Sequence, residues 1–177
     1  MRSEWVSSKE IEHILSALMP ANRLVCEVCL ATGLRVGDVL KLRPEQVHPN
    51  KRRFTIKEEK TGKSRLVYIP QKLRSDLYLQ AGKFWVFEHR TDRTKHRTRQ
   101  AVFKDLRRAS WAFRTVAHLS PHSLRKMYAV NYYQRSGCDL EKVRDLLNHS
   151  SEAVTMIYAL ADVMTSKKHG LDKRKKV

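Results

Sequence analysis

The spacing of apolar residues constrains the fold of this 177-residue chain more than any other feature, because it changes from helical to strand-like only briefly. The apolar members of residues 11–18 follow helical spacing until Pro20, and similar runs recur through most of the chain. From Arg52 onward, apolar residues instead alternate with polar ones, and Thr61-Gly62 has the composition of a tight turn. We therefore predict a mainly helical α+β fold with one small antiparallel β-sheet, formed by a hairpin with Lys60 at its tip.

Capping and turn residues divide the rest of the chain into further predicted elements. Gly33 is suited to end the helix that precedes it, and Gly137 to end a later one. Residues 84–87 form a short apolar run that we predict as a strand, and a strongly basic loop follows at residues 90–99. We expect residues 1–165 to form one domain and the Lys-rich residues 166–177 to form a basic C-terminal tail. The predicted helices cover residues 7–18, 23–32, 36–40, 71–81, 102–113, 122–136, 140–148 and 152–161.

The charge of the chain indicates a polyanionic partner. Lys and Arg number 36 against 18 Asp and Glu, which gives a formal net charge of +18. Such a chain gains affinity for nucleic acid by releasing condensed counterions. A membrane surface is usually met by one basic amphipathic helix, whereas here the basic residues are spread throughout, and no apolar run is long enough to span a membrane. Charge alone does not distinguish a DNA enzyme from a basic ribosomal or chromatin protein.

The three cysteines favour a reducing compartment, since at least one of them must stay unpaired. Cys26 and Cys29 form a CxxC pair, but they lie inside the apolar run 24–30 without a second pair of metal ligands nearby. We therefore interpret both as core residues, expect no metal or other cofactor, and predict a cytoplasmic location.

Four short motifs occur in a fixed order along the chain. They are Ala31-Thr-Gly-Leu-Arg-Val-Gly-Asp38, Glu59-Lys-Thr-Gly-Lys-Ser-Arg-Leu-Val-Tyr-Ile-Pro70, Pro121-His-Ser-Leu-Arg125, and Leu146-Leu-Asn-His-Ser-Ser151 followed by Tyr158. Together they resemble the boxes of the tyrosine recombinase, or phage integrase, family, which shares its catalytic layout with type IB topoisomerases. The resemblance runs from about residue 7 to about residue 161. It implies the catalytic-domain fold of that family and site-specific DNA recombination, in a bacterial or phage-infected cell.

The resemblance also implies which residues do the chemistry. Tyr158 corresponds to the nucleophile that forms a 3′-phosphotyrosyl bond, and a phosphate ester of a phenol stores the energy needed for rejoining. Arg35 and Arg125 correspond to the arginines that bind the charged transition state, for which their planar forks of donors are suited. Lys60 corresponds to the general acid that protonates the leaving 5′ oxygen, with Lys63 as its rival.

The remaining family positions assist these groups. His122 and His149 correspond to residues that donate to phosphate oxygens or move the tyrosine proton, and Asp38 to one that orients Arg35 or His122. No metal is needed in this scheme, because the cationic side chains supply the positive charge. The chain departs from the family at Asn148, where glycine is usual, and at Lys126, where histidine is common.

The family also implies the partners. Double-stranded DNA recombination sites would be held by a homotetramer of the full-length protein, with accessory DNA-bending proteins as further partners. Family members usually carry an N-terminal helical domain that clamps the other side of the duplex, so we expect this chain to be a fragment of a longer recombinase, with an unusually short recombinase as the alternative. We expect contacts to the DNA backbone from basic residues of the hairpin and the basic loop, namely Lys63, Arg65, Arg93, Lys95, Arg97 and Arg99.

Two other functions account for part of the sequence. A DNA-binding protein that kept this fold without catalysis would be expected to lack Tyr158 or one of the arginines. A basic RNA-binding or ribosomal protein would explain the charge but not the ordered motifs. Integration, excision, resolution and transposition share one active site in the family, so the motifs do not choose among them.

Overall fold

A computed structural model describes residues 8–113, 119–137 and 139–146 of the chain. Within these ranges the protein is mainly helical, with one two-stranded antiparallel sheet, and the predicted fold class is confirmed. The chain divides into two compact units between Tyr128 and Ala129. The elements are α1 (Ser8–Ser16), α2 (Pro20–Thr32), α3 (Val36–Leu40), a 3₁₀ helix (Pro44–Gln46), β1 (Arg53–Lys57), β2 (Ser64–Tyr68), α4 (Gln71–Gln80), α5 (Arg99–Ala112), α6 (Pro121–Arg135) and α7 (Leu140–Leu146).

The core of the first unit is built from the faces that the helical spacing predicted. In α1, Ile11, Ile14 and Leu15 are buried, since residues three and four apart lie on one side of a helix. They belong to the same apolar cluster as Val25 and Val28 of α2, and that cluster also includes residues of α4, α5 and the hairpin. Helix α2 begins with Pro20 in its first turn, where a missing N–H costs no helical hydrogen bond.

The link between α2 and α3 follows the prediction made from Gly33. This residue has a left-handed backbone with φ of 66°, and its N–H donates to the carbonyl of Cys29, which ends α2. Arg35 then precedes the first turn of α3 with an extended backbone. Residues 33–35 thus end one helix, form a tight turn and lead into the next helix.

The hairpin has the register that its alternation requires. Phe54 pairs with Val67 and Ile56 with Arg65, and the side chains of Phe54, Ile56 and Val67 are buried. Gly62 has φ of 66° in the turn, and its N–H donates to the carbonyl of Glu58 over 2.8 Å. The sheet therefore has one buried face and one exposed face, and its strands are joined by a turn over residues 58–63.

The predicted strand at residues 84–87 is wrong. Val86 and Phe87 are fully buried, but within the described ranges no strand includes them, and the pairing nearby is a single antiparallel bridge between Glu88 and His96. The N–H of Val86 instead donates to the carbonyl of Leu42, and the N–H of Arg97 donates to the carbonyl of Phe87. The apolar run thus reflects burial of two side chains in a loop, because its backbone groups find partners in other loops rather than in a sheet.

The described part of the second unit contains the end of α6 and helix α7. Ala129 and Val143 are buried there and pack with Tyr132 and Tyr133. Gly137 has φ of 74° just after α6, in agreement with its predicted capping role. The predicted helix 152–161 and the boundary proposed at residue 165 lie outside the described residues. Among the helices of the described ranges, none is long and apolar enough to cross a membrane.

Candidate active site

Arg35 lies where the α2–α3 turn meets the hairpin. Its side chain is 16% exposed, and its Nη1 donates to Oε2 of Glu58 over 2.7 Å. Glu58 directly follows β1 and is fully buried. The carboxylate of Glu58 is therefore a direct partner of this guanidinium, which the motifs did not indicate.

Arg125 of α6 reaches the same turn. It is 1% exposed, and its Nη1 donates to the carbonyl of Gly33 over 2.6 Å. One turn further along α6, the ring of Tyr128 packs on Gly33 so closely that a Cβ there would overlap Cδ1 and lie 2.6 Å from Cε1. The first and third motifs are therefore brought together by a charged hydrogen bond and by the absence of a side chain at Gly33.

Asp38 binds the backbone of the hairpin and interacts electrostatically with both arginines. Its Oδ1 accepts the N–H of Glu59 over 3.0 Å, and the residue is 3% exposed. Burial raises the pKa of the Asp38 carboxyl, and the charge of Glu58 raises it further, whereas the N–H of Glu59 and the charges of Arg35 and Arg125 lower it. The charges of Arg35 and Arg125 thus both favour the ionised form of Asp38. The predicted role of Asp38 toward Arg35 or His122 stays a prediction, while its bond to the hairpin backbone is observed.

Lys60 is presented in the hairpin turn. The turn is closed by the N–H of Glu58, which donates to the carbonyl of Lys63 over 3.0 Å, and by the bond from Gly62 to Glu58. Lys60 and Lys63 are both exposed. The backbone before Lys60 is thus held by the hydrogen bond from Glu59 to Asp38, and the backbone after it by the hydrogen bond from Gly62 to Glu58.

Glu58 is the site residue that sequence reasoning missed. Besides Arg35, its carboxylate accepts the hydroxyl of Thr61 over 3.2 Å and lies 3.8 Å from Nη1 of Arg65. A signal for it was present, since Phe54, Ile56 and Glu58 occupy alternate positions and so point to the same face of the strand. An acidic residue at the third inward position of a strand requires buried cationic partners.

The other predicted catalytic residues are less completely described. His122 is the second residue of α6 and is exposed, and its position three residues before Arg125 puts both on one side of the helix. His149 and Tyr158 lie outside the described residues, as do the departure at Asn148 and the spacing to the nucleophile. The structure therefore brings together Arg35, Arg125, Asp38 and the turn that carries Lys60.

Two of the residues predicted to bind DNA connect different structural elements of the protein. Arg65 is 10% exposed, and its Nη2 donates to the carbonyl of Thr32 over 2.5 Å. The guanidinium of Arg99 packs over Gly37, and its Nη2 lies 2.7 Å from Oε2 of Glu59. These contacts join the hairpin to α2 and to α5, so both side chains connect structural elements.

Three further predicted DNA contacts lie in the basic loop, which has a defined structure. Arg93 and Lys95 are exposed, and Lys95 forms an ion pair with Asp92 over 2.9 Å. Arg97 is partly buried, and this burial lowers the pKa of its guanidinium. The Nε1 of Trp85 donates to the carbonyl of Thr94 over 2.9 Å and so holds the loop to the preceding segment.

The cysteine pair is part of the core, as predicted. Cys26 and Cys29 are free thiols buried in α2. Burial raises the pKa of the Cys29 thiol to about 12, which makes it a poor nucleophile and a poor metal ligand. In the ranges that the structure covers, no group of three or more His, Cys, Asp or Glu residues is arranged to hold a metal ion.

Comparison with known proteins identifies a family that this chain matches. The sequence model of the Phage integrase family matches residues 4–164. The chain is 25% identical to the tyrosine recombinase XerA of Thermococcus kodakarensis over 167 residues, covering 89% of this chain and 58% of that protein. It is 30% identical to the tyrosine recombinase XerD of Lacticaseibacillus casei over 146 residues, covering 77% of this chain and 49% of that protein. The chain thus spans about half the length of the curated relatives it matches.

Solved structures share the fold. The crystal structure of XerA recombinase superposes with a TM-score of 0.69 at 21% identity, covering 95% of this chain and 66% of that one. A post-cleavage complex of the XerH site-specific recombinase bound to its palindromic difH substrate superposes with a TM-score of 0.72 at 20% identity, covering 95% of this chain and 52% of that one. The family match over residues 4–164, together with motifs joined as described above, establishes that this chain belongs to the phage integrase family, the tyrosine recombinases.

Proposed function

We propose that the chain is the catalytic part of a site-specific recombinase that cleaves and rejoins DNA through a 3′-phosphotyrosyl bond to Tyr158. The observation that carries the proposal is the hydrogen bond from Arg125 to the carbonyl of Gly33, two residues before Arg35. It gathers two guanidinium groups that are far apart in sequence at one turn beside an exposed lysine. Membership of the phage integrase family supports the same conclusion.

The arginines would stabilise the transition state. When a hydroxyl attacks a phosphodiester, negative charge builds up on the non-bridging oxygens of the pentacoordinate phosphorus. Arg35 and Arg125 cannot lose their charge near neutral pH, and each presents a planar set of donors that matches phosphate oxygens. Because both side chains are largely buried and hydrogen-bonded, they are oriented before DNA arrives and need little rearrangement at the moment of reaction.

Cleavage and rejoining would exchange one phosphate ester for another. The phenol oxygen of Tyr158 attacks phosphorus, its proton passing to His122 or His149, and the bond from phosphorus to the 5′ oxygen breaks. Lys60 gives a proton to that departing oxygen, which leaves as a hydroxyl. In rejoining, a 5′ hydroxyl attacks the phosphotyrosine, and the same groups return the protons. The energy of the first bond is conserved in the second, so no nucleotide cofactor is consumed.

The partner would be duplex DNA. The net charge of +18 favours a polyanion, and the XerH and lambda integrase structures with this fold contain DNA sites. We propose Lys63, Arg93, Lys95 and Arg99, whose side chains are exposed, as contacts to the DNA backbone, and Arg65 and Arg97, which are partly buried, as further positive charges near the DNA. The full-length protein would act as a homotetramer with accessory DNA-bending proteins, in the cytoplasm of a bacterial or phage-infected cell. Residues 1–165 would form its catalytic domain and 166–177 a basic tail.

Covalent capture tests this function without requiring a defined target sequence. The chain is incubated in EDTA with a pool of nicked duplexes whose centre is randomised, and protein-bound DNA is recovered in SDS and sequenced. We expect a metal-independent adduct enriched for one core sequence. DNA binding without any adduct would favour a non-catalytic DNA-binding protein, and stronger competition by RNA than by DNA would favour an RNA-binding protein.

A further inference from the structure

Glu58 contacts both halves of the candidate active site. Its side chain holds Arg35 over 2.7 Å and accepts the hydroxyl of Thr61, which follows Lys60. Its main chain closes the turn, since its N–H donates to Lys63 and its carbonyl accepts from Gly62. One residue therefore touches the arginine with its carboxylate and frames the lysine turn with its backbone.

Arg65 completes a closed set of contacts around this carboxylate. Its Nη1 lies 3.8 Å from Oε1 of Glu58, while its Nη2 donates to the carbonyl of Thr32, the last residue of α2. Thr32 directly precedes Gly33, whose carbonyl accepts from Arg125. The contacts thus run from the hairpin through Glu58 and Arg65 to the same turn that both arginines share.

The cost of burying this group argues against a role in packing alone. A fully buried carboxylate must be compensated by cationic partners, and an apolar side chain would fill an inward position of the strand more favourably. Phe54 and Ile56 occupy the two preceding inward positions. The bond from Nη1 of Arg35 to the buried Glu58 carboxylate restrains the orientation of the guanidinium.

We propose that Glu58 is a positioning residue that couples Arg35 to the turn carrying Lys60, so that the phosphate-binding fork and the proton donor adopt their working arrangement together. The proposal rests on the function proposed above. Glu58 itself would not touch DNA or the reacting phosphate. It would act by fixing the guanidinium plane on one side and the path of the turn on the other.

Glu58→Gln tests the coupling, with Glu59→Gln as the matched control. Both changes remove one negative charge from adjacent residues, but the Glu59 carboxylate is half exposed and pairs with Lys41 and Arg99 at the surface. On the duplex recovered from the randomised pool, we expect Glu58→Gln to slow adduct formation about 100-fold, as for loss of one oriented transition-state donor, with noncovalent DNA affinity unchanged. Glu59→Gln should stay within about three-fold of the wild-type rate, because exposed ion pairs contribute little.

A modified substrate separates this role from general stabilisation. In a duplex with sulfur in place of the bridging 5′ oxygen, the leaving thiolate needs no proton, so Lys60 becomes dispensable while the arginines remain necessary. We expect the defect of Glu58→Gln to shrink to about ten-fold on this duplex, with the remaining loss due to Arg35. A side chain that only stabilised the fold would give the same defect on both substrates.

Three results would each overturn the coupling: wild-type cleavage by Glu58→Gln, a defect confined to DNA affinity, or equal defects on the two duplexes. If Glu58→Gln does not fold, Thr61→Val tests the coupling in its place. We expect it to slow adduct formation on the ordinary duplex about five-fold, because one hydrogen bond is lost, and to have little effect on the sulfur duplex. Wild-type cleavage by Thr61→Val would then overturn it. If the unmodified chain forms no adduct at all, the proposed function itself has failed.

Discussion

Gly33 and Gly62 provide a matched pair for measuring what holds the two arginines together. Both residues have φ of 66°, a region that residues with a Cβ rarely adopt. At Gly62 an added Cβ meets nothing within 4 Å, whereas at Gly33 it would overlap Cδ1 of Tyr128 and lie 2.6 Å from Cε1 of that ring. Substitution by alanine therefore adds backbone strain at both sites but a steric clash only at Gly33.

The expected losses of stability follow from the strain and the clash. A left-handed backbone costs a residue with a Cβ about 1–2 kcal/mol, so Gly62→Ala should lower the free energy of unfolding by that amount. Overpacking a well-filled site typically costs a further 1–3 kcal/mol or so, which brings Gly33→Ala to about 2–5 kcal/mol. The clash cannot be relieved by a small side-chain rotation, because the contact includes Cγ at the base of the Tyr128 ring, 3.0 Å away.

Urea unfolding followed by circular dichroism measures both variants, and Tyr128→Ala completes a double-mutant cycle. We expect the ring deletion to remove the excess cost of Gly33→Ala, so that Gly33→Ala in the Tyr128→Ala background costs only as much as Gly62→Ala does alone. Gly33→Ala should also slow DNA cleavage more than Gly62→Ala, since the carbonyl of Gly33 positions Arg125. Equal costs for the two alanine variants would refute the close packing of α6 on the α2–α3 turn.

Three further predictions concern the charged groups. Arg125→Lys keeps the charge but loses the planar fork, so cleavage should fall about 100-fold while the slope of DNA affinity against salt stays the same, as measured by adduct kinetics and by binding titrations. Burial raises the pKa of Asp38 above its value in the unfolded chain, so the contribution of Asp38 to stability should decrease as pH rises through the folded-state pKa. In unfolding titrations, the stability of the wild type relative to Asp38→Asn should therefore fall over that pH window. A difference that does not change with pH would contradict this prediction. Lys60→Ala should slow cleavage of an ordinary duplex about 100-fold or more but that of the bridging-sulfur duplex much less, and Lys63→Ala should not show this contrast; the reverse pattern would make Lys63 the general acid.

The sequence predicted those elements whose backbone is governed by local residues. The hairpin follows from alternation and a Gly-containing turn, and the break after α2 follows from Gly33, whose left-handed backbone was found as expected. The prediction of a strand at residues 84–87 was wrong because a run of apolar residues indicates burial but does not by itself require a strand. Val86 and Phe87 are apolar because a loop buries them, and whether a strand lies beside such a run depends on chain segments distant in sequence.

The catalytic roles taken from the motifs stay predictions, whereas the contacts among these residues come from the structure. The family motifs named Arg35, Lys60 and Arg125, yet nothing in them indicates that Glu58 holds Arg35. We predicted Arg65 and Arg99 as DNA contacts because a count of charged residues does not show which of them have partners within the protein. Their bonds to Thr32 and Glu59 depend on which elements meet in the fold, and a linear pattern does not contain that information.

The central claim is that Tyr158 is the nucleophile, and peptide mapping of the captured adduct tests it most directly. The chain and its Tyr158→Phe variant are incubated with the selected nicked duplex in EDTA, the adduct is digested with protease and nuclease, and the modified peptide is identified by mass spectrometry. We predict a nucleotide attached to Tyr158 in the wild type, and in Tyr158→Phe no adduct but unchanged noncovalent DNA affinity, because only a hydroxyl is removed. An adduct on another residue, or wild-type adduct formation by Tyr158→Phe, would contradict the assignment.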